Sequence, residues 1–187
     1  MQGKSYFGLR EWAILIAMAV ASALVHTLIP WKSITDSLGI PGPAAGMAVF
    51  GGLIFVLWIC LARRLTGRAY SAIVVSILIA AICLLVAPWY GITSPAWFSV
   101  FGILALLSTG IIVELTQSRS SWAGAVGGGL GNLSCLAVTW LAIGFQVDTW
   151  VPLWVAPLLV VGAVVSGGVG VWLAQGITQI VLARQTG

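Results

Sequence analysis

AILIAMAVASALVH, residues 13–26, is an apolar run that ends in the chain's single histidine. At about 100° per residue, Ala13, Ala17 and Ala21 make one slowly drifting stripe, and Ser22 and His26 lie roughly half a turn away. A smooth alanine face lets another helix approach closely in lipid, where packing rather than hydrophobic sorting drives association. The opposite face then looks into the protein's own bundle. The stretch reads as a helix that docks to a partner through its alanines and helps line a small-molecule site with its other side.

Composition sets the class. Of 187 residues, 60% are hydrophobic and 6% charged, more apolar surface than a soluble domain can hide. The chain reads as an all-α integral membrane protein, one six-helix domain over residues 1–187. The six apolar segments are Trp12 to Ile29, Ala44 to Leu61, Ala69 to Ala87, Ala96 to Leu115, Trp122 to Phe145, and Trp150 to Leu182. Each has at least about 18 residues, which at 1.5 Å rise approaches the ~30 Å hydrocarbon core. Backbone groups in lipid must be satisfied internally, and the runs lack the alternation of barrel strands, so they are helices. Pro152 and Pro157 mark an interfacial turn before the last span proper.

The net charge of +4 does not form a nucleic-acid patch, because the basic residues sort by side. Lys4 and Arg10 precede span one, Arg63, Arg64 and Arg68 join spans two and three, Arg119 joins four and five, and Arg184 follows six, leaving Lys32 alone opposite. The positive-inside rule places both termini in the cytoplasm, in the plasma membrane of the cell. Lys4, Arg10 and Ala21-Ser22-Ala23 resemble a signal peptide. The apolar run nevertheless continues to Ile29, and a retained first span is expected. Cys60, Cys83 and Cys135 fall within spans without a CxxC pair and read as small apolar fillers.

Span two is almost bare of side-chain bulk from Ala44 to Gly52, so a neighbour or ligand can approach its backbone. Span three reads as lipid-facing over much of its surface. Glu114, at the cytoplasmic boundary of span four, is expected to pair with Arg119 or with a partner's basic group. In span five, Gly124 with Gly128 and Gly127 with Gly131 make overlapping small-xxx-small pairs. The mid-membrane amide of Asn132 is expected to bond a neighbouring helix or to touch ligand. Gly162, Ser166, Gly170, Ala174 and Thr178 form a seam along span six. Spans one, five and six therefore read as the tight core or partner surface.

Polar groups within the spans are too few for most catalysis, and neither a metal cluster nor a cofactor motif is present, so no enzyme is expected. Active transport by this chain alone lacks a nucleotide motif and a mid-span acid, so energy must come from elsewhere. On these residues the chain resembles the substrate-binding S component of an energy-coupling factor transporter. Ala13, Ala17 and Ala21 match the docking face of helix one in that family, and the pattern of GIIVEL at residues 110–115, the Gly-rich span with Asn132, and SGGVG at residues 166–170 look similar.

That resemblance implies a transmembrane T component and two cytoplasmic ATPase subunits as partners, with membrane lipid around them and a vitamin-like cargo bound near the outer side. The N-terminal histidine motif of the metal-carrying members is missing, so an organic, heteroaromatic cargo fits better. The aromatic outer pole supplies Trp31, Trp89, Tyr90, Trp97, Trp150 and Trp154 for stacking, and His26, Asp36, Asn132, Gln146 and Asp148 as polar contacts. Two alternatives stand beside this reading: a small oligomeric transporter or channel that self-associates through spans five and six, and a membrane enzyme or assembly factor.

Overall fold

The computed structural model describes residues 6–30, 33–34, 37, 42–86, 100–116, 121–148, 150 and 152–186. All secondary structure among the described residues is helical: α1 (Leu9–Leu28), α2 (Gly42–Gly51), α3 (Leu57–Thr66), α4 (Ser71–Val86), α5 (Val100–Thr116), α6 (Ser121–Val147) and α7 (Ala156–Thr186). A π-turn, Gly52–Val56, joins α2 to α3 in one continuous rod. Among the described residues, four helical stretches are long and apolar enough to cross a membrane: Leu9–His26, Ala48–Thr66, Trp122–Gln146 and Ala156–Arg184. Ser71–Leu85 and Val100–Thr116 are shorter apolar helices.

The rods alternate in direction. Glu11 at the start of α1 reaches Arg68 just beyond α3, and Arg63 near the end of α3 meets Glu114 near the end of α5. Gly127 near the start of α6 faces Thr116 at the end of α5, and α7 runs back along α6 with Gly167 against Gly128. Every described Arg and Glu therefore lies at one end of the bundle, and Asp148 lies at the other. At the charged end the aromatic rings of Tyr6, Phe7 and Trp12 meet edge-on in sequence, and Tyr6 reaches Tyr70 with centroids 6.2 Å apart. This fastens the N-terminus of α1 to the turn before α4.

The centre of the bundle is the α2–π–α3 rod. Its α3 half packs on α1, α4 and α7, while α2 packs on α6 and α7. This corrects the expectation that spans one, five and six make the core. The sequence does put α6 against α7, but α1 packs on α3 and α4 instead. The reason is a second small ladder on α1, where Leu15, Ala19, Ser22, Ala23 and His26 are buried. The span-three helix, α4, is also more occupied than its uniform sequence suggests. Ala72, Val75, Ser76, Ile79, Ala80 and Cys83 form an inward stripe at helical spacing, leaving Ile77, Leu84 and Leu85 exposed.

The two glycine pairs of α6 serve two different neighbours. Gly131 lies against Thr109 of α5, whose hydroxyl donates to the Gly131 carbonyl at 3.0 Å. On the other face, a Cβ on Gly128 would strike Val171 and the Gly167 carbonyl of α7. The seam of α7 closes on the central rod, where a Cβ on Gly170 would strike the Gly52 carbonyl. Leu153–Val155 form a turn ahead of α7, as the flanking prolines predict, and Pro157 sits in the first helical turn where its missing N–H costs no bond. Cys60, Cys83 and Cys135 are all buried.

Candidate functional site

Helix α1 carries its polar groups to the middle of the bundle. Ser22 donates its hydroxyl proton to the Ile54 carbonyl at 2.6 Å, inside the π-turn. One turn further along, His26 is 0% exposed, its ring 5.5 Å from that of Phe55 and tilted by 42°. The other face of α1 is turned outward. Ala13 and Ala17 are exposed, and Ala21 is half-buried because a four-residue step advances the stripe by about 40°. Ile16, Val20 and Leu24 flank these alanines on the exposed surface.

The π-turn is held from two sides. In a π-turn the N–H of residue i bonds the carbonyl of residue i−5, as Leu57 does to Gly52. At the start of the turn, the Gly52 N–H donates to the Ser166 hydroxyl oxygen of α7 at 3.1 Å. Ser22 from α1 and Ser166 from α7 thus engage backbone groups of the same five residues. The pair Gly51-Gly52 permits this, since a side chain on Gly51 would strike Asn132 and one on Gly52 would strike the Ser166 backbone.

Asn132 is 1% exposed and donates from Nδ2 to the Ala163 carbonyl at 2.9 Å, with its amide oxygen against Gly51. It ties α6 to α7 and α2, the interhelical role expected of a buried amide. Gln146 and Asp148 are exposed at the end of α6, Asp148 with a left-handed φ of 51°. Trp150 covers Gly144 and meets Phe145 edge-on at 5.9 Å, while remaining 57% exposed. Trp154 is exposed on the turn before α7. The structure therefore brings Gln146, Asp148 and Trp150 to one pole and buries His26 and Asn132 in the bundle. Trp31, Asp36, Trp89, Tyr90 and Trp97 lie outside the described residues.

Phe55 and Trp140 are absent from the sequence-derived set. Phe55 is the ring that His26 faces, and Gly51-Gly52 in mid-span was its only signal. Trp140 lies in the half of α6 away from the charged end, and its indole N–H is buried without an acceptor, as is that of Trp58 on α3. At the opposite end, an open groove of about 450 Å³ between α6 and α7 is lined by Trp122, Ala125, Trp172 and Gln175.

Arg119, one expected partner of Glu114, lies outside the described residues. The Glu114 Oε1 accepts from Arg63 Nε at 2.8 Å, and its Oε2 accepts from the Ala72 N–H at 3.0 Å, in the first turn of α4. The carboxylate caps a helix N-terminus and neutralises an arginine at once. It pins α3, α4 and α5 together at the charged end. No family model, curated protein or solved structure matches the chain.

Proposed function

We propose that this chain is the membrane-embedded capture subunit of an ATP-driven importer of the energy-coupling factor type, binding a small vitamin-like, heteroaromatic molecule near the extracellular side. In this reading all six rods cross the plasma membrane, with the arginine-rich end and both termini in the cytoplasm. A transmembrane T component docks on Ala13, Ala17 and Ala21, and two cytoplasmic ATPase subunits supply energy through it. The observation that carries the reading is the division of α1. Ala13 and Ala17 are left exposed and Ala21 half-buried by the protein's own packing, and Ser22 and His26 on the opposite face are fully buried. Cargo contacts would come from His26, Phe55 and Trp140 with the aromatic outer pole.

The oligomeric channel reading calls on the glycine seams of α6 and α7 for self-association. Those seams are occupied by each other and by the central rod, so the capture subunit is favoured. The test is mass spectrometry of small molecules retained by the purified protein, followed by tryptophan-fluorescence titration with the compound found. The expected result is a retained heteroaromatic compound that quenches fluorescence and binds at least tenfold more weakly to His26→Ala. A protein that retains and binds no such compound would remove the proposal.

A further inference from the structure

The π-turn lies at the crossing of α1, α6, α7 and the central rod, and it separates two halves of very different texture. Among the described side chains, the fully buried face of α2 with the start of the turn is Gly46, Ala48, Gly51 and Gly52, and the one larger side chain packed against the core there is the half-buried Phe50. The face of α3 is Leu57, Ile59, Cys60, Leu61 and Ala62, all buried, and it ends in the Arg63 to Glu114 ion pair. A π-turn is one extra residue in an α-helix. If that residue passes along the helix, every residue between its old and new positions rotates by about 100° and advances by about 1.5 Å. Moving it into α3 would unseat three large side chains, Leu57, Ile59 and Leu61, together with Cys60 and a salt bridge. Moving it into α2 displaces glycine, alanine and the half-buried ring of Phe50, and breaks the bond from Gly52 N–H to Ser166.

We propose that the π-turn is a two-position joint that shifts the register of α2 over a fixed α3, with Ser166 as its latch. α2 is the movable half, and Ser22 holds the Ile54 carbonyl on the fixed side. The inference does not depend on which molecule the His26 side captures.

The test is pulsed electron–electron distance measurement in lipid nanodiscs. Spin labels are placed at Val49→Cys on α2 and Ile77→Cys on α4, with Cys60, Cys83 and Cys135 changed to alanine. Val49 and Ile77 are both exposed. On a Cα cylinder of ~2.3 Å radius, a 100° rotation moves Val49 Cα by roughly 3.5 Å, and the label further. The Ser166→Ala variant is expected to raise the population of a second distance at least threefold over the otherwise identical labelled protein. Deleting Leu53, which removes the extra residue while preserving the faces of both halves, is expected to leave one distance. A single unchanged distance with and without Ser166→Ala overturns the joint, whether or not the deletion variant folds. So does a second distance that persists at equal population when Leu53 is deleted.

Discussion

Removing Glu114 should cost the bundle more than removing any other described charge, because one carboxylate serves two partners. It accepts from Arg63 at 2.8 Å and from the Ala72 N–H at 3.0 Å, with side-chain exposures of 10% for Glu114 and 17% for Arg63. A hydrogen bond to a charged group contributes about 1.5–3 kcal/mol. Two such bonds, reduced for the remaining solvent access, give about 3 kcal/mol for Glu114→Ala. The share that couples to Arg63 should be about 1.5–2 kcal/mol, above the 0.2–1 kcal/mol typical of exposed pairs. The assay is reversible unfolding in bicelles of wild type, Glu114→Ala, Arg63→Ala and the double variant, which isolates the pairwise term. Arg119→Ala is the control and should change stability by less than about 0.5 kcal/mol. A coupling below about 0.5 kcal/mol, or an Arg119→Ala cost matching that of Arg63→Ala, would refute the assignment of Arg63 as the partner.

Two further outcomes follow from the packing. Gly170→Ala should destabilise the fold by about 1–3 kcal/mol, because the new methyl meets the Gly52 carbonyl. Gly176→Ala on the same helix meets nothing within 4 Å and should be neutral or stabilise by up to ~1 kcal/mol, since alanine is the better helix former; the same unfolding assay reads both. Cys60, Cys83 and Cys135, all buried, should react with a maleimide at least a hundredfold more slowly in lipid than in denaturant, and rapid labelling of any of them in the folded protein would show that helix to be misplaced.

The division of α1 was legible in the sequence because helical geometry alone separates Ala17 from His26. The glycine pairs of α6 and the seam of α7 were legible for a related reason: a small residue every fourth position is a statement about one face. Which neighbour each face meets is not written in that spacing. Ala19 and Ala23 are as small as Ala13 and Ala17, and only the packed bundle shows that the first pair is inside. The sequence offers Glu114 either Arg119 or a partner's basic group, whereas Arg63 is 51 residues away and is brought close because α3 and α5 run parallel and end at the same pole. The π-turn left no periodic mark, since one extra residue in a run of apolar residues does not disturb a composition-based reading. Phe55 could be recognised as the partner of His26 only once that turn was seen.

The central claim is that α1 offers its alanines to another helix and its imidazole to the interior. It is tested most directly by co-purifying the tagged chain with T-component and ATPase subunits from the same cells, using Ala17→Trp and His26→Ala side by side. Ala17 is exposed and His26 is 0% exposed, so the two substitutions act on opposite faces. Ala17→Trp is expected to lower recovery of the complex at least tenfold while the subunit itself stays folded and in the membrane, and His26→Ala is expected to leave recovery unchanged. Full recovery of a complex with Ala17→Trp, or failure of the wild type to bring down any T component or ATPase, would contradict the claim.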